Sequence, residues 1–457
     1  MSAAMPRPSV HLTARSTWMN DPNGLVHHGG LWHAFFQNNP FGSDWGHMSW
    51  GHATSTDLLH WEEQPVAIPE GEQIAIFSGS VVHDAANTSG LDPSGPLVAI
   101  YTGASREDHP EHPSIQGQRL AFSTDGGAVW TKVPGWVLDR SSRNFRDPKV
   151  FWHAPSARWV MVAVEAEHRE LLLHTSRDLR VWEHVSTFRD DRIDGIWECP
   201  DLVPMDPADP DGEWLLILST NPAGPAGGSG NHGFLGSFDG RTFTPDPAVA
   251  GGGAFPLDFG PDFYAAVSFH GAPAVEDAEH PLVLGWASNW EYAHRSPSAP
   301  WRGAMSLPRR LLRSADPAAP VHSQPVLPSA PSVPGTPSLP SSEAALDPLA
   351  VHVLRLPMPR EGEPIVLRSP GREELRIEAA SGGIRAVRPD SVFAPLLSTA
   401  VLPASAESDE LALILDGSIA ELVAVPRGAA RIAGPMATLL LAPEPGPWTL
   451  GFPAALR

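Results

Sequence analysis

Three acidic residues stand in nearly the same company. Asp21 in "WMNDPNGL", Asp147 in "NFRDPKVFW" and Glu198 in "GIWECPDLVP" each have a proline within two positions and adjoin an apolar run. Taken singly, an Asp beside Pro fits backbone geometry, because Asn, Asp, Pro and Gly supply the dihedrals of a tight turn. Taken together, they put three carboxyls at similar places in separate units of the chain. Glu198 is harder to explain as a turn former. Between Trp197 and Cys199 it is expected to be half-buried, and burial raises a carboxyl pKa toward what a proton donor near neutrality needs. Two carboxyls facing each other, one protonated and one ionised, are the apparatus of glycosidic bond cleavage.

The aromatic residues agree with a sugar ligand. Trp45, Trp50, Phe77 and Trp286 lie where strand-like runs meet turns, near Gln37, Ser78 and Asn289. Sugar C–H faces stack on rings, and sugar hydroxyls bond to Asn, Gln and Asp. Most of the 16 tryptophans are nonetheless expected in the core. Other chemistry finds less support. His27, His28, His33, His47, His52 and His60 crowd one stretch, but no pair has zinc spacing with a third ligand. No Gly-rich phosphate loop precedes a helix, no Ser sits in a nucleophile elbow, and Cys199 has no evident His partner. No metal and no cofactor are expected.

Composition narrows the partners. With 52 acidic against 31 basic residues the formal net charge is −21, which repels nucleic acid and anionic lipid and favours a small neutral or cationic ligand. One cysteine permits no intramolecular disulfide. The first residues, "MSAAMPRPSVHLTARSTW", hold no secretory apolar segment, and no 18-residue apolar run occurs. The expectation is a soluble cytoplasmic protein without membrane or nucleic-acid partners. Oligomeric state is unreadable.

The elements that must position these residues are strands. The 50 prolines and 41 glycines suit many short strands better than long helices. A Ser-x-Asp turn followed by an aromatic recurs in "STDLLHW", "STDGGAVW", "SRDLRVW" and "SFDGRTF", with starts 53 to 68 residues apart. About 60 residues hold roughly four short strands with their turns. Radial repetition of such sheets is a β-propeller, and the spacing predicts five units over residues 10 to 310. Residues 313–348 are dense in Pro, Ser and Ala and predict an extended connector with room for one strand. Beyond it, runs such as "AVHVLRLPM" and "ELALILDG" predict a β-sandwich over residues 349–457. The expected fold is therefore all-β: a five-bladed β-propeller over residues 1–312 followed by a C-terminal β-sandwich.

The chain resembles glycoside hydrolase family 32, the β-fructofuranosidases. The matching stretches are "WMNDPNGL", "WGHATSTDLLHWE", "FSGSVV", "FRDPKVFW", "WECPDL", "DFYAAVSF", "GWASNWEY" and "WRGAMSLPR", in family order from Trp18 to Arg309. The resemblance implies a propeller followed by a sandwich. It also implies Asp21 as nucleophile at the anomeric carbon of a fructosyl unit, Glu198 as acid and base, and Asp147 as transition-state stabiliser with Arg146 beside it. Retention of configuration is then expected, with the Asp21 and Glu198 carboxyls about 5–5.5 Å apart. Asn20, Gln37, Trp45, Phe77, Ser78, Asp262 and Trp286 are implied as the fructose pocket. Phe36 and Asn39 stand where tyrosines are common in the family, and His47 where proline is usual. The last two stretches are similar to the exo-levanase and exo-inulinase branch. The implied substrate is sucrose or a short fructan; a sucrose-6-phosphate hydrolase, a fructosyltransferase and a non-catalytic fructan binder are the alternatives.

Overall fold

The computed structural model describes residues 5–209, 211–273, 280–328, 343–389, 391–405, 409–444 and 446–451. Among them the only helical segments are four 3-10 turns of three residues each. The first part of the chain folds into five antiparallel sheets, each built in chain order from the inner strand outward. Their leading strands are Trp18–His28, Ile74–His83, Phe145–His153, Ile196–Pro204 and Tyr264–Ser268. Each leading strand contacts the next, and the fifth contacts the first, so the five close a ring of contacts. Second strands such as Leu97–Ser105 and Trp214–Asn221 are buried along nearly their whole length, because both faces of each sheet pack against a neighbouring sheet.

The Ser-x-Asp turns join the third and fourth strands of the first four sheets. Asp57 Oδ1 accepts from the backbone N–H groups of Leu59 and His60, and the Trp61 indole donates to the Leu58 carbonyl at 3.0 Å. Trp130 and Trp182 repeat that indole bond on Gly127 and Leu179 at the same distance. The aromatic thus closes the turn it follows. A fifth copy exists where none was expected. Ser314 and Asp316 cap the turn between Arg309–Arg313 and Val321–Pro325, without a following aromatic. Its Ala- and Pro-rich surroundings masked it, so the connector expected to begin at residue 313 still belongs to the fifth sheet up to Pro325. Residues 329–342 of that connector lie outside the described residues.

The C-terminal part holds two sheets. One has six strands and includes Ile365–Ser369, Arg372–Ala380 and Trp448–Gly451; the other pairs His352–Pro357, Asp409–Asp416, Ile419–Pro426 and Met436–Leu440. Ile365, Leu375, Leu411, Leu413, Leu422, Leu439 and Trp448 from the two sheets form one buried core, the face-to-face packing of a sandwich.

Candidate active site

Each carboxylate sits at a break in a leading strand rather than at a turn before it. Pairing with the second strand slips between Met19 and Pro22, between Arg146 and Lys149, and between Glu198 and Asp201. The same slip occurs between Ile76 and Gly79, at Phe77 and Ser78, and between Tyr264 and Val267. A β-bulge leaves extra residues unpaired and re-aims their side chains. Proline, which has no N–H to give a ladder, is tolerated there. That is the physical origin of the acid-near-proline pattern in the sequence. Asp147 (φ 61), Cys199 (φ 43) and Ala265 (φ 53) take left-handed backbone at these bulges, a strained conformation for residues with a Cβ.

The bulges deliver Asp21, Asp147 and Glu198 to one pocket of about 420 Å³, with Asn20, Gln37, Trp45, Phe77, Ser78 and Arg146 in its lining. Asp21 Oδ2 accepts from the Ser78 hydroxyl at 2.8 Å. Its Oδ1 and the Gln37 Nε2 are buried with no hydrogen-bond partner among the described residues. Asp147 receives the backbone N–H of Cys199 at 3.0 Å, and its own N–H donates to Thr102 Oγ1 at 2.9 Å. Glu198 is held on both oxygens: Arg146 Nη2 stands 3.0 Å from Oε1, and the Tyr264 hydroxyl donates to Oε2. Trp18 Nε1 donates to Asn20 Oδ1 at 2.6 Å, which fixes the amide next to Asp21.

Burial raises two of the carboxyls, Asp21 and Asp147. Burial pushes Asp147 up to about 7 against the pull of the Arg146 guanidinium. Asp21 is raised too, first by burial and then by the Glu198 charge. Burial likewise raises the Cys199 thiol far above its ordinary value, so it is a packed neutral group 3.6 Å from Asp21 Oδ2. Crowded acids in a low-dielectric hollow with one guanidinium among them suit a reaction that builds positive charge between them.

Two expected pocket residues lie elsewhere. Asp262 is fully buried outside the pocket, with Oδ2 2.5 Å from Arg388 Nη1 and a hydrogen bond from the Tyr292 hydroxyl. It faces the sandwich. Trp286 ends a buried strand and packs behind the wall, its ring centroid 4.9 Å from that of Trp290. Trp290, from the turn after that strand, lines the pocket in its place, together with Met48 and Gln116. The sequence offered both tryptophans in "GWASNWEY". The signal was position, since a strand-end residue in an apolar run points into the core and a turn residue is free to reach out. Tyr264 was missed although it is one of three tyrosines and lies two residues beyond Asp262. On the rim, His47 adopts φ 49, which the ring of the family's usual proline forbids. Phe36 is buried, and Asn39 braces the adjoining turn by donating to the Asp44 carbonyl at 2.8 Å.

Residues 11–323 match the model of the glycosyl hydrolases family 32 N-terminal domain. The chain belongs to glycoside hydrolase family 32. Among family 32 relatives it is similar to an extracellular exo-inulinase of Aspergillus niger, 43% identical over 335 residues that span 67% of this chain and 62% of the relative. It is equally similar to a levanase of Bacillus subtilis, 43% identical over 316 residues covering 67% of this chain and 44% of the relative. The chain thus spans less than two thirds of the length of these relatives. The crystal structure of an exo-inulinase from Aspergillus awamori superposes with a TM-score of 0.82 at 30% identity, covering 99% of this chain and 96% of that one.

Proposed function

We propose that this chain is a retaining, exo-acting β-fructosidase that releases terminal non-reducing β-D-fructofuranosyl units from sucrose or short levan- and inulin-type oligosaccharides. The observation that carries the proposal is the convergence of Asp21, Asp147 and Glu198 on one pocket from three separate sheets. The relatives named exo-inulinase and levanase support the substrate class. The ring of contacts among five leading strands supports a five-bladed propeller ending near Pro325, and the sandwich begins by residue 343 rather than at 349, because the strand Glu343–Leu346 pairs with Trp448–Gly451.

In this mechanism Asp21 attacks the anomeric C2 of the fructosyl unit while Glu198 gives its proton to the leaving oxygen. A covalent fructosyl-Asp21 ester forms and the glycosidic bond breaks. Glu198, now ionised, takes a proton from water, which attacks the same carbon and frees Asp21. Asp147 faces the oxocarbenium-like charge and holds ring hydroxyls. Gln37 and Asn20 offer amides, and Trp45 and Trp290 offer apolar faces to the sugar. No metal or cofactor enters any step.

The test is a hydrolysis panel of sucrose, sucrose-6-phosphate, levan oligomers and inulin oligomers, with free fructose measured. Release of single fructose units from sucrose or the oligomers supports the proposal. Activity confined to sucrose-6-phosphate, transfer products in place of fructose, or binding without turnover would each replace it.

A further inference from the structure

One side chain of the C-terminal sandwich, Arg388, reaches the segments that lie behind the candidate active site. Arg388 is fully buried, with its guanidinium in the first part of the chain. Its Nη1 lies 2.5 Å from Asp262 Oδ2, its Nη2 donates to the Tyr292 hydroxyl, and Tyr292 donates to Asp262 Oδ1. The three groups close a buried triangle. Arg388 also sits over the Phe393 ring at 4.0 Å and donates to the Leu440 and Leu396 carbonyls, which fixes it in its own domain.

Both anchored residues border the pocket machinery. Two positions after Asp262 comes Tyr264, whose hydroxyl holds Glu198. Two positions before Tyr292 comes Trp290, which lines the pocket. Between them, Asn289 Nδ2 donates to the Pro261 carbonyl at 2.7 Å and joins the two segments. The stretch ahead of Tyr264 is further tied to the sandwich strand Met436–Leu440. Phe259 N–H donates to the Met436 carbonyl, Asp262 N–H to the Thr438 carbonyl, and Leu440 N–H to Asp262 Oδ2. A short segment pinned at its end cannot shift without moving the residue that follows.

We infer that Arg388 is a positioning residue for the proposed reaction: through the Asp262–Tyr292 triangle, the sandwich sets Tyr264 against Glu198 and Trp290 against the sugar. This rests on the glycosidase reading above. It gives the second domain a role in turnover rather than in stability alone. Misplacing a reacting group by a fraction of an ångström is costly, so the triangle is a point where the distant domain can govern rate.

The experiment compares Arg388→Met and Tyr292→Phe with Asp416→Asn in the full chain, at a temperature where all remain folded by circular dichroism. Asp416 belongs to the same domain contact, where it accepts from Ser9, Val10 and His11 and touches none of the triangle. Arg388→Met and Tyr292→Phe are expected to lower kcat about tenfold or more, since orientation effects of this size follow small displacements. They should also alter the pH–rate profile, because the displaced Tyr264 hydroxyl is one of the titratable groups facing Glu198, while Asp21, Asp147, Arg146 and Cys199, the others, stay in place. Arg388→Lys should recover part of the loss. Asp416→Asn should lower Tm yet keep kcat within about twofold, because it removes an interaction remote from the reacting groups. Tyr292→Phe removes one hydroxyl and keeps the ring, so it decides the matter should Arg388→Met not fold. The inference is overturned if wild type is active and both triangle variants keep wild-type kcat and pH profile, or if Asp416→Asn loses as much. Inactive wild type would instead sink the glycosidase reading.

Discussion

The backbone N–H of Cys199 donates to Asp147 Oδ2 at 3.0 Å, so the strand that carries Glu198 also holds the carboxylate opposite it. That bond does not offset the cost of burying the charge, and Asp147 rises to about 7. A carboxyl whose folded pKa is raised contributes stability below its unfolded value of 3.8, and that contribution is lost as pH rises through about 7. Asp147→Asn, permanently neutral with an acceptor oxygen kept, should therefore raise Tm by several degrees at pH 8 and change it little at pH 4. Its fructose release should fall by about 10²-fold or more, as for loss of a transition-state charge partner. A Tm difference independent of pH would contradict this.

Asp21 and Glu198 should separate by leaving group. Asp21→Asn is expected to lose on the order of 10³-fold or more in kcat on every substrate, because the nucleophile is needed throughout. Glu198→Gln should lose comparably on sucrose but far less in bond cleavage on a fructoside with a phenolic leaving group, which departs without a proton. Single-turnover rates on both substrates check it; equal losses would reverse the assigned roles.

Buried histidines make the fold acid-sensitive. Burial holds His52 and His174 near 3 and His270 near 4, with His33 adding to the effect on His52. A His whose folded pKa is lowered binds its proton only on unfolding, so stability falls as pH drops from about 6.5 toward those values. Tm should fall between pH 6.5 and 4, and His52→Gln should flatten that slope.

The alkaline side has its own switch. Burial alone would lower His11, but the Asp416 and Glu421 carboxylates outweigh it and lift it to about 9. Its stabilisation is complete below pH 6.5 and is lost as pH rises through about 9. Wild-type Tm should decline between pH 7 and 10, and Asp416→Asn should abolish most of that decline.

Much of this site was legible in the sequence. Asp21, Asp147 and Glu198 stood out because a β-bulge that aims an acid tolerates proline, and the proline is visible. The Ser-x-Asp turns were visible because their side chains cap their own backbones. What stayed hidden depended on partners far along the chain. Asp262 reads as one more acid beside an apolar strand until Arg388, 126 residues away, is seen to neutralise it. Trp286 and Trp290 differ only in which side of a strand end they occupy. Ser314 and Asp316 were masked by a composition that reads as linker.

The central claim is that Asp21 becomes bonded to the fructosyl unit. Glu198→Gln mixed rapidly with a fructoside bearing a good leaving group, quenched in acid and digested, should yield the peptide containing Asp21 heavier by one anhydrofructosyl unit by mass spectrometry. Asp21→Asn should yield none. An adduct on another residue, or fructose release by wild type with no adduct on Asp21 under any quench, would contradict the account.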